Sequence, residues 1–139
     1  MALTAELLGD RWTLLILREA FYGVQRYDDM LQDLGAPRAT LTDRLNKLLN
    51  QKILKRHPYQ EKGERVRHAY KLSKKGRALG KVLIAMSEWG ATHLTKSPAP
   101  AHLAERNTNT HLKIAFLTDE GRVVPETQTK LYVTPSDKC

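Results

Sequence analysis

Residues 37–76 read PRATLTDRLNKLLNQKILKRHPYQEKGERVRHAYKLSKKG, and this stretch decides the fold. Leu41, Leu45 and Leu48 recur at the spacing of a single buried helix face. Pro37 suits the first turn of that helix, because the amide proton that proline lacks would have no partner there. The opposite side of the helix is small and polar near its start. The pattern therefore predicts a helix that packs on a core with one face and presents the other.

A short amphipathic segment lies just before this helix. Leu31 and Leu34 predict a helix that Asp28 caps and that ends at Gly35. Residues 35–37 form a tight joint, and two short helices joined in this way predict a helix-turn-helix. Taken alone the motif is a weak signal, since any two amphipathic helices with a glycine between them will match it.

A basic hairpin is predicted directly after the second helix. Residues 53–57 and 66–72 are rich in strand-forming side chains, and Gly63 is the expected turn residue between them. A helix-turn-helix followed at once by a basic hairpin is a winged helix, and this order of parts is much more specific than either half. Upstream, Asp10 is expected to cap a further helix. The predicted fold class is α+β, mainly helical.

The apolar residues after the hairpin predict self-association. Ser73 is expected to cap a long helix that runs to about Thr95. Its apolar surface exceeds the third of the circumference that a surface helix needs to pack on its own domain. Since a winged-helix core is small, we expect a homodimer. The predicted interface residues are Leu3, Leu7, Leu79, Val82, Leu83, Met86 and Trp89.

The positive charge of the chain is local. The 139 residues carry a formal net charge of +8 and a pI of about 9.7. From Arg44 to Lys81 there are 13 Lys or Arg and only two acids, Glu61 and Glu64, whereas the rest of the chain holds 10 cations and 13 acids. A solvated surface usually mixes both signs, so this block indicates a binding surface for a polyanion. On a winged helix, the expected polyanion is double-stranded DNA.

A DNA interface assigns roles to individual side chains. Cations near phosphates release condensed counterions, and the start of the second helix meets base edges in the major groove. Arg38 is the candidate for bidentate contact to guanine, and Thr40 and Thr42 are expected to reach thymine methyls or phosphates. Asp43 accepts from a cytosine amine or, equally, forms an ion pair with Arg38 or Lys47. The predicted phosphate contacts are Arg44 (or to a neighbouring helix instead), Lys47, Lys62, Arg65 and Arg67.

Other classes of function lack support in the sequence. Cys139 is the only cysteine, which excludes an intramolecular disulfide or a thiolate-rich metal site and favours a reducing cytoplasm. Apolar runs fall short of the roughly 20 residues of a membrane span, and the N-terminus has no secretory pattern. The five histidines lack metal-ligand spacing, and no phosphate loop or nucleophile motif is present. We expect no metal, no cofactor, no membrane association and no enzymatic activity.

Residues 1–95 are therefore predicted to form a DNA-binding and dimerisation domain, and residues 96–110 a surface linker. Residues 111–139 are predicted to form a β-hairpin extension, with strands at 112–118 and 129–133. A two-stranded hairpin alone is marginal in water. The extension is therefore expected to dock on the main domain or on a partner subunit.

Five segments within residues 3–95 carry a family resemblance: LGDRWTLLILR (8–18), LTDRL (41–45), PY (58–59), RHAY (67–70) and LSKKGR (72–77). With these segments the chain resembles the HxlR-type transcriptional regulators, a branch of the bacterial MarR-like winged-helix dimers. The resemblance implies a dimer built on the first and last helices, a near-palindromic operator and a repressor role. It also implies that the C-terminal hairpin is similar to an extension of some members. Pro37 stands where the family usually has Ser or Thr, and Ala39 where Lys is common.

Two alternatives remain open. Winged helices can serve as protein-interaction modules without binding DNA, although the local excess of cations argues against that role here. The same regulator could also bind a small-molecule effector in the dimer groove. The residues expected near that effector are Trp12, Tyr22, Met86 and Trp89.

Overall fold

The computed structural model describes residues 1–95 and 97–132, which fall into two compact units. The first unit runs from Met1 to Ala99, and the second begins at Pro100. The elements of the first unit are α1 (Ala2–Leu8), α2 (Arg11–Phe21), α3 (Tyr27–Leu34), α4 (Arg38–Asn50), β1 (Leu54–Tyr59), β2 (Arg67–Leu72), α5 (Lys74–Arg77), α6 (Gly80–Gly90) and a π-helical turn (Ala91–Thr95).

The core of the first unit lies where α2, α4 and the base of the hairpin meet. Leu41, Leu45 and Leu48 of α4 are all buried, as their spacing predicts, and they share one cluster with Ile16 and Leu17 of α2. Full burial of one such side chain contributes about 1.5–3 kcal/mol to the free energy of folding. This stripe therefore fixes one face of α4 on the core and leaves the opposite face exposed.

The ends of α2 and α3 follow local chemistry. Asp10 caps α2 as predicted, its carboxylate accepting from the Trp12 amide at 3.1 Å. Gly35 ends α3 in the left-handed conformation, with φ +59°, also as predicted. The prediction that Asp28 caps α3 is wrong, because the helix begins at Tyr27, two residues earlier than a cap at Asp28 would place it, and Arg26 is the N-cap. Asp28 instead lies in the first turn, where a negative charge stabilises the positive end of the helix dipole.

The predicted winged helix is confirmed. Strands β1 and β2 pair antiparallel, from Leu54 opposite Leu72 to Tyr59 opposite Arg67, directly after the α3–α4 helix-turn-helix. Gly63 adopts φ +82° in the turn between them. We call this hairpin, residues 54–72, the wing. Strand β1 covers residues 54–59 and begins one residue later than the predicted 53–57. Strand β2 covers residues 67–72 and is one residue shorter than the predicted 66–72.

Hydrogen bonds join the two chain segments at the base of the wing. Three consecutive backbone carbonyls after α4 accept hydrogen bonds from the residues that follow β2. Lys75 Nζ donates to the carbonyl of Gln51 at 2.8 Å, and Ser73 Oγ donates to that of Lys52 at 2.7 Å. The Ser73 amide donates to the carbonyl of Ile53 at 2.9 Å. The α4–β1 junction and the β2–α5 junction therefore form one unit.

The predicted long helix is interrupted after its first turn. Ser73 caps α5 as predicted, accepting from the Gly76 amide at 3.0 Å, but α5 and α6 are separate helices. At their junction the Leu79 amide donates to the Gly76 carbonyl at 3.0 Å, which is a tighter i→i−3 turn. Gly76 and Gly80 have low helix propensity, and Gly80 lies against the ring of Phe21. These two glycines account for the break.

The second unit contains two short antiparallel hairpins. Strand β3 (Leu103–Ala104) pairs with β4 (His111–Leu112), and β5 (Phe116–Leu117) pairs with β6 (Val123–Val124). The predicted turn at 119–121 is present, but its second strand is β6 and not residues 129–133, of which Val133 lies outside the described residues. A short loop closes at lower entropic cost than a long one, which favours the nearer partner. The predicted linker also contains β3.

We expect Gly76→Ala to lower the free energy of unfolding by about 1–3 kcal/mol, because the added Cβ would overlap the Ile53 carbonyl oxygen. Gly90→Ala is the matched control, since no other heavy atom lies within 4 Å of its added Cβ. Helix propensity should leave that variant equally stable or more stable by up to about 1 kcal/mol. Urea unfolding followed by circular dichroism measures both variants. Equal stabilities would contradict the close packing at Gly76.

Candidate nucleic-acid interface

The four predicted base-reading residues lie together in the first turns of α4. Arg38, Thr42 and Asp43 are exposed, and Thr40 is half-buried. The buried leucines of α4 lie on the other face of the helix. The N-terminal part of a recognition helix is the part that meets base edges in the major groove. This end of α4 therefore presents donors, acceptors and methyl groups to solvent on a fixed support.

Arg44 links α4 to the start of α2 by a hydrogen bond. Its Nε donates to Oδ2 of Asp10, the residue that also caps α2 and accepts from Thr13 Oγ1 at 2.6 Å. Arg44 therefore contacts a neighbouring helix, which is one of the two roles expected of it. Asp10 accepts hydrogen bonds from both helices, so one carboxylate determines how α4 sits against α2.

Asp43 and Lys47 are also engaged within the chain. Asp43 accepts from Nη1 of Arg44 and is not paired with Arg38 or Lys47, its expected partners. Lys47 Nζ donates to the backbone carbonyl of Glu6 at 2.9 Å, which joins α4 to α1. Two of the candidate DNA contacts therefore already have partners inside the protein.

The hydrogen bonds to Asp10 stabilise its charged form. Partial burial raises the pKa of Asp10, but the hydrogen bonds from Thr13, Arg44 and Trp12 outweigh that effect and hold the pKa below its usual value of 3.8. The same contact with Asp10 raises the pKa of Arg44. Both groups are therefore charged at any pH near neutrality, and the ion pair between α2 and α4 is permanent under those conditions.

Tyr27, the first residue of α3, reaches across the turn to α4. Its hydroxyl donates to the backbone carbonyl of Arg38 at 3.1 Å and lies 3.1 Å from Thr42 Oγ1. Sequence reasoning missed this residue, because an aromatic side chain at the edge of an amphipathic helix is most simply explained as part of the core. The contact places a phenolic hydroxyl at the start of α4.

Ion pairs neutralise part of the positive charge of the wing. Arg67 lies 3.2 Å from Asp28 of α3 and 3.4 Å from Glu64, and Arg26 lies 2.6 Å from Glu61. Both acids of the basic block are thus paired with arginines. The remaining cations at the tip of the wing, Lys62 and Arg65, are exposed and form no ion pair with the described residues.

Arg56 of β1 extends the candidate interface toward α4. Its Nη2 donates to Asn46 Oδ1 on the outer face of α4 at 3.2 Å, and both side chains are exposed. Arg56 belongs to the basic block but was not among the predicted contacts. The alternation of side chains along β1 could have identified it, since Arg56 lies on the same strand face as Leu54, which packs against the leucines of α4.

The predicted dimer-interface residues divide into two groups. Leu7, Leu79 and Leu83 are half-buried against the core of their own unit. The others are exposed, with relative accessibilities of 41% to 82%: Leu3, Val82, Met86 and Trp89. Among residues 1–95 and 97–132, no helix is both long enough and apolar enough to cross a bilayer. Within residues 1–95, the exposed apolar side chains of α1 and α6 are left without cover by the core of the first unit.

Of the four residues expected near an effector, only Tyr22 lines the cleft that the described residues form beside the wing. Tyr22 lines a cleft of about 770 Å³ between α3 and the wing, together with His57 and Tyr59. Trp12 is half-buried against the core and does not line this cleft. Nor do the remaining two, Met86 and Trp89, which are exposed on α6.

Residues 7–98 match the HxlR-like helix-turn-helix family. The chain belongs to this family. The match covers α2 to α6, including Asp10, Tyr27 and Arg44 of the site. It confirms the family that the sequence segments indicated.

Several relatives of this HxlR-like protein are described as transcription regulators. An HTH-type transcriptional regulator of Mycobacterium tuberculosis is 43% identical over 95 residues, 68% of this chain and 59% of that protein. The matched region thus spans 59% of the length of the mycobacterial relatives. A solved transcription factor from Pseudomonas aeruginosa is 30% identical to this chain, with a TM-score of 0.64. The match covers 96% of this chain and 90% of that chain. A second solved structure, described as the transcription factor PA1607, is 26% identical with a TM-score of 0.73, and the match covers 92% of this chain and 89% of that chain.

These descriptions agree with the prediction that the chain is not an enzyme, since the family and its relatives are transcription regulators. The two solved structures cover nearly the whole chain, so each match extends into the second unit. The family match at residues 7–98 includes the whole helix-turn-helix.

We expect Asp10→Asn to lower the free energy of unfolding at neutral pH by about 1 kcal/mol, because asparagine keeps the cap but removes the ion pair with Arg44. The folded-state pKa of Asp10 is depressed, so its stabilisation is present above 3.8 and is lost as the pH falls through the folded value. The difference between the two proteins should therefore shrink in acid.

Chemical unfolding at a series of pH values tests this expectation. Asp33→Asn is the control, because Asp33 is exposed on α3 and forms no ion pair with any described residue. It should show no comparable difference. A gap between wild type and Asp10→Asn that stays constant from neutral pH to below 3.8 would rule out the charged contact.

Proposed function

We propose that this HxlR-like protein is a sequence-specific DNA-binding transcriptional regulator that acts as a homodimer. The observation that carries the proposal is the exposed polar start of α4, held on a leucine core and flanked by cations of the wing. Phosphate contacts by Lys and Arg supply affinity that does not depend on sequence, and contacts from α4 to base edges supply the choice of site.

Arg38 is the main candidate for reading a base. Its side chain is exposed at the first residue of α4 and forms no ion pair with the described residues, so it can approach the O6 and N7 of guanine. Thr40 and Thr42 follow on the same part of the helix. Asp43 forms an ion pair with Arg44. This pairing favours a role for Asp43 in shaping the helix surface and argues against a contact to cytosine.

The wing tip supplies the proposed phosphate contacts. Lys62 and Arg65 would approach the duplex without first breaking an ion pair of the described residues. Arg67 would have to exchange Asp28 and Glu64 for a phosphate, so its net contribution should be smaller. Arg44 and Lys47 serve mainly to hold α4 in place.

A second copy would cover the apolar surface of α6 and α1. Exposed large side chains such as Met86 and Trp89 mark interaction surfaces when they are contiguous. A two-fold axis through this surface pairs two α4 helices, which then read half-sites about one helical turn apart on a near-palindromic operator. We propose that binding there represses transcription.

An effector site is a second proposal that depends on the dimer. The exposed Met86 and Trp89 and the half-buried Trp12 would line the groove between two paired α6 helices. Tyr22, at the end of α2, would lie near its mouth. A ligand in this groove would change the distance between the two α4 helices and so the affinity for the operator.

We expect Arg38→Ala to lower affinity for the selected site by about 1–3 kcal/mol and to relax preference at one base pair. Lys62→Ala and Arg65→Ala should each weaken binding to all duplexes alike and reduce the salt slope by about one unit. Arg122→Ala is the control, because it removes one cation from the second unit. Selection from random duplexes and salt titrations provide the measurements.

Two outcomes would contradict these assignments. Uniform weakening by Arg38→Ala across all sequences would remove its base-reading role. Weak binding by the wild-type protein that does not respond to salt would instead favour a protein-interaction module.

We expect Met86→Asp to convert the dimer to a monomer and to reduce affinity for a duplex with two half-sites at least tenfold, because a charge would be buried at the interface. Ile114→Asp is the matched control, since Ile114 lies in the second unit, outside the proposed dimer and DNA surfaces, and is similarly exposed, at 45% against 50% for Met86. Sedimentation equilibrium measures the mass of each variant. A dimer that persists in Met86→Asp would refute the assignment of this surface.

A further inference from the structure

We propose that Tyr27 is a positioning residue for sequence reading, which makes the Thr42 hydroxyl a hydrogen-bond acceptor for a base amino group. The inference rests on the proposed function, because it concerns how α4 reads DNA. It goes beyond that function by assigning a polarity to one side chain, and therefore a class of base that this side chain accepts.

The polarity of Thr42 follows from counting hydroxyl protons. The Tyr27 hydroxyl lies 3.1 Å from the Arg38 carbonyl, which can only accept, and 3.1 Å from Thr42 Oγ1. Tyrosine has a single hydroxyl proton, and the carbonyl contact uses it. The contact with Thr42 is then a hydrogen bond only if Thr42 donates to Tyr27 Oη. The opposite arrangement would bring two oxygen lone pairs together at the carbonyl.

The position of the Tyr27 hydroxyl is fixed at both ends of its side chain. The ring of Tyr27 packs against the core cluster, and the Tyr27 backbone begins α3. The preceding residue, Arg26, bridges to Ala69 of β2 and forms the ion pair with Glu61. Tyr27 therefore extends from a supported backbone to α4, and its hydroxyl cannot follow Thr42 if that side chain rotates.

The consequence is a chemical preference at one base. With its proton directed to Tyr27, the exposed Thr42 oxygen has only lone pairs left for a partner outside the protein. In the major groove, adenine N6 and cytosine N4 are donors, whereas guanine O6 and thymine O4 are acceptors. Thr42 should therefore favour adenine or cytosine at the position that it meets, and should disfavour guanine or thymine there.

Removing the Tyr27 hydroxyl should abolish this preference. In Tyr27→Phe the Thr42 hydroxyl is free to donate to a base, or to rotate and bond back to the Arg38 carbonyl one turn earlier. In the first case the hydroxyl can either donate or accept, and in the second case its oxygen is turned away from the base, so the preference for a base donor is lost in both. A hydrogen bond of this kind changes the ratio of affinities about two- to tenfold.

The test uses the full chain and selection from random duplexes, followed by titration of single-base variants of the selected site. Thr42→Val identifies the base pair that Thr42 meets, because valine keeps the shape and removes the hydroxyl. We expect Tyr27→Phe to relax preference at that same base pair by about two- to tenfold, with affinity for random duplexes unchanged within about twofold. In the Thr42→Val background, Tyr27→Phe should have no further effect on preference.

Tyr132→Phe is the matched control, since it removes the hydroxyl of a tyrosine that is 80% exposed in the second unit. It should keep every base preference. Unchanged preferences in Tyr27→Phe, or equal weakening on all sequences, would overturn the inference and leave the proposed function standing. No change of preference at any position in Thr42→Val would overturn it as well. A wild-type protein that selects no sequence at all would instead overturn the proposed function, and this inference with it.

Discussion

The carboxylate of Asp10 is the contact on which the orientation of α4 depends. It caps α2 through the Trp12 amide and at the same time holds Arg44 of α4. The leucine stripe fixes which face of α4 is buried, but apolar packing is not directional and permits some rotation and sliding. A charge-assisted hydrogen bond has a preferred direction and length. The two interactions together hold a polar helix face in a defined position, which reading a DNA groove requires.

Features governed by neighbours in sequence could be predicted well. The leucine spacing of α4, the caps at Asp10 and Ser73 and the turn at Gly63 are local, and all four are present. The contact between Asp10 and Arg44 spans 34 residues and depends on how two helices cross, which no local pattern specifies. The same holds for the hydroxyl of Tyr27. It becomes recognisable only when the start of α4 is placed next to it.

Counting charges along the chain overstated the positive charge of the wing. Arg67 forms an ion pair with Asp28. The carboxylate of Asp28 belongs to α3 and was predicted to cap that helix. The acids in the first turn of α3 stabilise the helix dipole, and the fold brings one of them to the wing. The second strand of the C-terminal hairpin was misplaced for a similar reason. Alternating residues near 129–133 resembled a strand, but the competition for β5 was decided by loop length, in favour of Val123–Val124.

Because the wing is hydrogen-bonded at its base, a change in length at its tip need not alter its base. The hydrogen bonds from Ser73 and Lys75 close residues 51–75 into a loop that is held at its base, where Arg56 also donates to Asn46 of α4. Residues inserted or deleted at the tip, around Gly63, would therefore leave the hydrogen bonds at the base, and with them the position of α4, in place. Under the proposed function, a wing of different length would change the reach along the phosphate backbone and leave the base contacts of α4 unchanged.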